Sequence, residues 1–138
     1  MPQYDAYHET VKRALVKDGW MITHDPLQLQ YKDMRLYADL GAEKTLGAEK
    51  AGRKIAVEIK VFGGDSLTTD LQKAKGQYDL YHFFLETIDP DRKLYLAVAS
   101  EVWETFFQRP SVRDFVAAMQ LSLMIFDAET EEVVQWIR

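Results

Sequence analysis

The sequence has 138 residues, a mass of 16.0 kDa and a formal net charge of −5, and it contains no cysteine. A chain of this length is expected to form a single domain, 1–138, and because it has no apolar run of about 18 residues and no secretory signal we expect a cytoplasmic protein with no membrane span. The missing cysteines exclude disulfides and thiolate metal sites, and the acidic balance argues against an unspecific coat on nucleic acid. It does not exclude a nuclease, because the carboxylates that bind metal ions are themselves acidic.

The chain begins with a predicted helix followed by short strands. Apolar residues recur at helical spacing from about Asp5 to Asp18, and Gly19 is expected to end that helix. A short strand is predicted from Trp20 to His24, where Asp25-Pro26 breaks it. Leu27 to Tyr31 is expected to form a second extended segment.

A long hairpin is predicted next, from Arg35 to Lys50 and from Arg53 to Phe62, with its turn at Ala51-Gly52. Apolar and polar residues alternate along its second strand, which is the pattern of a half-buried strand. Glu58 and Lys60 fall on the polar face of that strand, so the sequence predicts an acid beside a base on a rigid element.

The second half of the chain alternates helices and strands. A helix capped by Ser66 or Thr68 runs to about Thr87 in this prediction, and its apolar stripe contains Leu71, Ala74, Tyr78, Tyr81 and Leu85. The later predicted elements are a buried strand Lys93 to Ala99, helices Glu101 to Phe107 and Ser111 to Met119 with Ser111 at the cap, and a hairpin of Leu121 to Phe126 and Glu132 to Ile137. The order αβββαβααββ predicts an α/β fold with a mixed sheet flanked by helices.

Several segments resemble the XisH family, whose members are named as excision-controlling factors of the cyanobacterial fdxN element. The matching segments are KDGWMITHDPLQLQ (Lys17 to Gln30), YADLGAEK (Tyr37 to Lys44), AEK (Ala48 to Lys50), KIAVEIKVF (Lys54 to Phe62), GQY (Gly76 to Tyr78) and LYLAV (Leu94 to Val98). The resemblance extends over essentially the whole chain in matching order. It implies a restriction-endonuclease-like fold and a role in programmed DNA rearrangement, acting with a site-specific recombinase and a small companion protein, XisI.

The predicted hairpin also resembles the site of the PD-(D/E)xK nucleases, in which two carboxylates and a backbone carbonyl hold Mg²⁺ and a lysine orients or activates water. In that comparison Glu58 is the second carboxylate, Ile59 gives its carbonyl and Lys60 takes the lysine role. The metal neutralises charge on the phosphate and lowers the pKa of bound water. The first carboxylate is expected at Asp39, although Ala38 replaces the proline of the motif.

The predicted pairing of the hairpin complicates the choice of the first carboxylate. A turn at Ala51-Gly52 sets Glu58 opposite Thr45 and Lys60 opposite Glu43. Asp39 then lies six residues beyond Thr45, or about 20 Å along a straight strand, which is too far to share one metal with Glu58. Either a bulge at Gly41 or Gly47 bends Asp39 back, or Glu43 is the true partner, and the sequence leaves both open.

Two further residues are candidates for the site. Many nucleases of this fold add a glutamate from the first helix, but Glu9 points away from the apolar stripe, whereas His8 flanks it near Val11 and Leu15. A histidine there departs from the nuclease pattern. Gln77 flanks the stripe of the second predicted helix, where it could contact phosphate or water, and a plain helix-surface role explains it equally well.

Two functions from different classes follow. The first is a Mg²⁺-dependent phosphodiesterase acting on DNA, with Asp39 or Glu43, Glu58 and Lys60 in the roles above. The second is a non-catalytic adaptor with a degenerate nuclease fold that regulates a recombinase through protein contacts. If neither holds, Glu58 and Lys60 belong to a solvated strand face with an ion pair to Glu43.

The expected partners are DNA bound transiently, an XisI-like companion, a recombinase, and a second copy of the chain or a hetero-complex. Trp103, Phe106 and Phe107 fall within five residues of one predicted helix, where three large rings cannot share one face. We therefore expect at least one of these rings to lie in an inter-chain contact.

Overall fold

The computed structural model of the protein describes residues 3–36 and 45–138. Its helices and strands are α1 Gln3–Lys17, β1 Met21–His24, β2 Leu29–Tyr31, β3 Met34–Leu36, β4 Thr45–Lys50, β5 Arg53–Ile59, α2 Leu67–Ile88, β6 Arg92–Ala99, α3 Ser100–Glu104, α4 Pro110–Ala118, β7 Leu123–Asp127 and β8 Glu132–Ile137, with a 3₁₀ turn Phe106–Gln108 between α3 and α4. The predicted α/β class is confirmed.

The main sheet has six strands in the order β1-β4-β5-β6-β7-β8. Strands β5, β6 and β7 are parallel to one another, and the outer pairs β1–β4, β4–β5 and β7–β8 are antiparallel. Parallel neighbours need crossover connections, which α2 supplies between β5 and β6, and α3 and α4 supply between β6 and β7. The sheet is therefore mixed, with helices connecting its central strands, as predicted.

Helices cover both faces of the sheet, so the protein has two cores. On one face α1 packs through Val11, Ala14 and Leu15 against a cluster that includes Ile55 and Val57. On the other face α2, α3 and α4 pack against a cluster that includes Ala56 of β5 and the inward residues of β6. Strand β5 is consequently buried on both faces, and the prediction of a half-buried strand is wrong because a central strand between two helical layers has no solvated face.

The turn and register of the central hairpin are as predicted. Ala51 and Gly52 both have positive φ, 51° and 82°, as a two-residue type I′ turn requires. Pairing then runs without a shift from Lys50↔Arg53 to Thr45↔Glu58. The register shift near this region lies in β1 instead, between Ile22 and His24.

Gly47 permits a close approach between strands. A Cβ at this position would lie 2.8 Å from His24 Nδ1. The β4–β5 ladder has no register shift at Gly47. The proposed bulge at Gly47, which would bend Asp39 back toward Glu58, is therefore absent from this ladder. The alternative bulge at Gly41 lies outside the described residues.

The prediction for the first strand of the long hairpin is partly wrong. Arg35 and Leu36, expected to begin a strand running to Lys50, belong instead to β3, which pairs with β2 in a separate two-stranded sheet. Lys32, with φ of 53°, lies in the tight turn that joins β2 to β3. This local hairpin packs on the α2 side, where Tyr31 meets the rings of Phe83 and Phe84 edge-on. Alternating polarity identified an extended segment there but not its partner.

Helix α2 begins and packs as its sequence predicts. The Ser66 hydroxyl accepts a hydrogen bond from Thr69 N at 3.2 Å, which identifies Ser66 rather than Thr68 as the cap. The predicted stripe is buried at all five positions, and Phe84 joins it.

The C-terminal helices differ from the prediction in two ways. Ser111 does not cap α4, because Pro110 takes the first helical position and Arg109 precedes it in an extended conformation. Helix α3 ends at Glu104, so Phe106 and Phe107 fall in the 3₁₀ turn and both reach the core. Phe106 and Phe107 both turn inward because the backbone changes direction after α3, whereas Trp103 on α3 is only partly buried.

Candidate functional site

The carboxyl end of β5 presents the predicted acid and base in the protein interior. The exposed fraction is 3% for Glu58 and 7% for Lys60. Both residues alternate in phase with Ala56 and Phe62, which belong to the core beneath α2, so both point to that side of the sheet. Glu58 is level with Leu96 of the parallel strand β6. Glu58 therefore sits on a central strand held by neighbours on both sides, and Lys60 lies one residue beyond the end of that strand, where its N–H donates to the Ala97 main-chain oxygen at 3.4 Å.

Their burial decides between two interpretations of this pair. Taking a carboxylate or an ammonium out of water costs several kcal/mol for each ion before compensation. Lys and Glu are almost never fully buried unless paired, and buried ionisable groups concentrate at functional sites. The interpretation of Glu58 and Lys60 as members of a solvated strand face is therefore wrong.

The segment after Lys60 is anchored to the helical layer. The Phe62 ring packs against Phe107 at 5.4 Å and Phe106 at 6.4 Å between centroids. Gly64 N donates a hydrogen bond to Asp70 Oδ2 at 3.0 Å in the first turn of α2. These contacts fix the backbone that leaves the site, so the position of Lys60 does not depend on a loose loop.

The structure describes only some of the other predicted site residues. Ile59 ends β5 and buries its side chain on the α1 side. Asp39 and Glu43, the alternative first carboxylates, lie outside the described residues. Within residues 3–36 and 45–138, no group of three or more acidic, histidine or cysteine side chains could hold a metal ion. Gln77 lies exposed on α2, so its contact with phosphate stays a prediction.

His8 forms an ionic cluster that the sequence did not reveal. Its Nε2 atom lies 2.7 Å from Asp25 Oδ1, and Lys12 Nζ lies 2.7 Å from Asp25 Oδ2. His8 is 6% exposed, and its Nδ1 atom has no hydrogen-bond partner among the described residues. Because Nε2 faces a carboxylate, that nitrogen carries a proton. Nδ1 faces another part of the interior.

Asp25 was interpreted from the sequence only as a strand breaker. The signal for its role was available, because a helix joined by a tight turn to an antiparallel strand brings the start of α1 to the end of β1. His24 is level with Gly47 of β4, which is level with Ala56 of β5. Asp25 and His8 therefore lie toward the same end of the sheet as Glu58, with β1 and β5 about 10 Å apart across β4.

The cluster of Asp25, His8 and Lys12 should make the stability of the fold depend on pH in the acidic range. Burial alone raises the pKa of the Asp25 carboxyl, but the hydrogen bond from Lys12 and the charge and hydrogen bond of His8 outweigh it, so this pKa is below its ordinary value. A carboxyl with a lowered folded-state pKa stabilises the fold above its unfolded pKa of about 4, and that contribution disappears as the pH falls through the folded-state pKa.

We therefore expect the stability difference between the wild-type protein and Asp25→Asn to shrink as the pH falls below about 4. Urea unfolding followed by circular dichroism from pH 7 to pH 3 measures this difference. A difference in the free energy of unfolding that stays constant from pH 7 to pH 3 would contradict the prediction.

Comparison with known proteins places this chain in a family. Residues 1–134 match the family model described as XisH protein. The chain belongs to the XisH family. Two solved structures are similar to it: an fdxN element excision controlling factor protein from Anabaena variabilis and an XisH family protein from Nostoc punctiforme. No curated protein shows significant similarity.

Both solved XisH-family structures align with nearly the whole chain. Each is 39% identical to it with a TM-score of 0.89 and covers 97% of it, and the alignment spans 99% of the Anabaena chain and 100% of the Nostoc chain. The resemblance to the XisH family is confirmed, and so is the mixed sheet flanked by helices. Within the described ranges, no helix combines the length and apolar character needed to cross a membrane.

Proposed function

We propose that this XisH-family protein controls excision of a DNA element, and that it does so through a restriction-endonuclease-like site for Mg²⁺-dependent phosphodiester cleavage. Family membership supports the first part, because a solved relative is an fdxN element excision controlling factor protein. The burial of Glu58 and Lys60 side by side on the central strand supports the second. A catalytic acid and base need this kind of rigid, water-poor setting.

The residues at the end of β5 suit a hard divalent cation. Mg²⁺ prefers oxygen ligands and is usually held by one or two carboxylates together with water and substrate phosphate. In this proposal Glu58 and the Ile59 carbonyl are two of the ligands, and Asp39 or Glu43 supplies the other carboxylate. When bound, the metal neutralises phosphate charge and lowers the pKa of bound water.

The protein's own groups then complete the chemistry. Lys60 places an ammonium in the interior, where its attraction to a phosphate oxygen is stronger than in water, and orients the attacking water. Asp25 fixes the His8 ring through Nε2, which leaves Nδ1 as a polar atom available to water or phosphate at this end of the sheet. In this scheme His8 is a positioning residue.

The test is a cleavage assay with the purified protein, alone and with an XisI-like companion, on duplex, nicked and branched DNA. We expect cleavage in Mg²⁺ or Mn²⁺ that disappears in EDTA. DNA that stays intact on all three substrates across both metal titrations, with and without the companion, would overturn the catalytic part of the proposal.

One observation favours a second function, that of a non-catalytic adaptor. His8 occupies the helix position where many nucleases of this fold carry a glutamate, and it is committed to Asp25 at 2.7 Å. An adaptor would regulate a recombinase through protein contacts. Excision measured in cells separates the two functions, because an adaptor carrying Glu58→Gln still supports excision, whereas a nuclease does not.

The proposed partners are DNA bound transiently, a site-specific recombinase, an XisI-like companion, and a second copy of the chain or a hetero-complex. Of the three aromatic residues expected at an inter-chain contact, Phe106 and Phe107 are buried in the core. Trp103 packs against that core but is only partly buried. It is therefore the residue that we now propose for such a contact.

A further inference from the structure

A polar cavity lies away from Glu58 and Lys60, and it combines aromatic rings with cations. Its volume is about 480 Å³, within the usual range of ligand pockets. We call it the aromatic–cationic pocket, and its lining contains the rings of Trp20, Tyr95 and Trp136 and the cationic side chains of Lys50, Arg53 and Arg138. Asp18 supplies the one acidic side chain among its described lining residues.

The aromatic–cationic pocket is separate from the site at the end of β5. Trp20 and Tyr95 belong to the core beneath α1, on the opposite face of the sheet from Glu58. Lys50 and Arg53 flank the Ala51-Gly52 turn, and Arg53 is five residues before Glu58, about 17 Å along the strand. A ligand in this pocket would therefore not occupy the Glu58–Lys60 site.

The rings of the pocket are held in fixed positions. Trp136 packs against Tyr95 at 4.8 Å and against Trp20 at 5.8 Å between centroids. Trp20 is 4% exposed and Tyr95 is 2% exposed. Trp136 is partly exposed on the edge strand β8, whereas the other two rings are buried.

The cations of the pocket are arranged around the same rings. The Arg53 guanidinium lies 5.4 Å and Lys50 Nζ 5.8 Å from the Trp20 ring centroid. Asp18 is engaged by the pocket itself, since its Oδ2 accepts from Trp20 Nε1 at 3.1 Å and its main-chain oxygen accepts from Lys50. Lys50 Nζ also lies 3.8 Å from Asp18 Oδ2, so this acid offsets one cation, and Arg53 and Arg138 make the side-chain lining locally positive in a chain whose net charge is −5.

We propose that the aromatic–cationic pocket binds a nucleotide unit, with its base stacked on Trp136 and its phosphate held by Arg53 and Lys50. Aromatic rings accept any base by stacking, and adjacent cations hold the phosphate backbone, which is how sequence-independent single-strand binding is built. The same chemistry is present in an unpaired nucleotide of a DNA strand and in a free nucleotide. This binding goes beyond the proposed cleavage and does not require it.

The proposal is tested by fluorescence anisotropy of a labelled short oligo(dT) in EDTA, with unlabelled dTMP and a matched duplex as competitors. We expect Trp136→Leu to weaken binding about tenfold, as the loss of one stacked base does. Arg53→Ala, at an exposed position, should weaken binding and reduce the slope of log K against log salt by about 0.7. Arg109→Ala is the matched control, because its guanidinium also lies over a ring, 5.3 Å from the Phe106 centroid, outside the pocket.

Each competitor and each variant has a defined outcome. Competition by dTMP comparable to oligo(dT) supports a free nucleotide as the ligand, and weak competition by dTMP supports an unpaired strand. Absence of oligo(dT) binding at low salt, equal losses in Arg53→Ala and Arg109→Ala, or a duplex that competes as well as the single strand would overturn the proposal. Because binding is measured in EDTA, where metal-dependent cleavage does not occur, failure here is distinguishable from failure of the cleavage proposal.

Discussion

Replacing Glu58 with glutamine should reduce Mg²⁺-dependent DNA cleavage by at least about 100-fold, because a metal-bound carboxylate contributes several kcal/mol to transition-state stabilisation. Glutamine keeps the size of the side chain and removes its charge, so the variant would lose the proposed metal ligand without leaving a cavity. Because Glu58 is 3% exposed, a substitution that changed the side-chain volume more would disturb the core beneath α2.

Single-turnover cleavage at saturating Mg²⁺ measures this effect, and thermal unfolding checks that the variant is folded. Glu132→Gln is the matched control, since Glu132 is an exposed carboxylate at the start of β8. Lys60→Met provides a second variant that keeps the buried apolar stem and removes the ammonium. Wild-type cleavage rates in Glu58→Gln would exclude a metal role for this residue.

Arg92→Leu should lower the free energy of unfolding by about 3 kcal/mol, because it removes two hydrogen bonds that a buried guanidinium donates, one of them to a carboxylate. Arg92 is 7% exposed, and its Nε donates to Asp89 Oδ2 at 3.0 Å. Its Nη1 donates to the main-chain oxygen of Ile55 at 2.9 Å. Lys54 pairs with the other Asp89 oxygen at 2.7 Å. Arg92 thus joins the end of α2 to strands β5 and β6.

Urea unfolding at pH 7 measures this loss, and Arg113→Leu on the exposed surface of α4 is the control, expected within about 0.5 kcal/mol of the wild-type protein. Burial raises the pKa of Asp89, but the hydrogen bonds from Lys54 and Arg92 outweigh it and hold this pKa below its ordinary value. The difference between wild-type protein and variant should therefore narrow as the pH falls below about 4. Equal losses in the two variants would contradict the assigned role of Arg92.

Local sequence patterns predicted much of the scaffold. The Ala51-Gly52 turn and the alternation after it fixed the register that sets Glu58 opposite Thr45. The stripe of α2 was predicted because helical spacing and a serine cap are properties of the segment itself. These elements were predictable because the information that determines them lies within about twenty residues.

Features that depend on a distant partner were not predictable in this way. Met34–Leu36 has the pattern of an extended strand, but the sequence did not show that it pairs with β2. The burial of Glu58 and Lys60 depends on α2 covering that side of β5, which no property of the strand reveals. The contact between His8 and Asp25 spans 17 residues and joins a helix to the end of a strand.

The two-residue turn at Ala51-Gly52 gives the protein a constraint on how its sequence can change. Side chains alternate between the faces of β5, so inserting or deleting one residue at the turn and slipping the strand by one position would send Glu58 and Lys60 to the α1 side and Ile59 to the α2 side. Such a slip exchanges charged and apolar groups in both cores at once. The turn thus specifies the candidate site from the far end of the strand, and a change in its length cannot damage that site while sparing the fold.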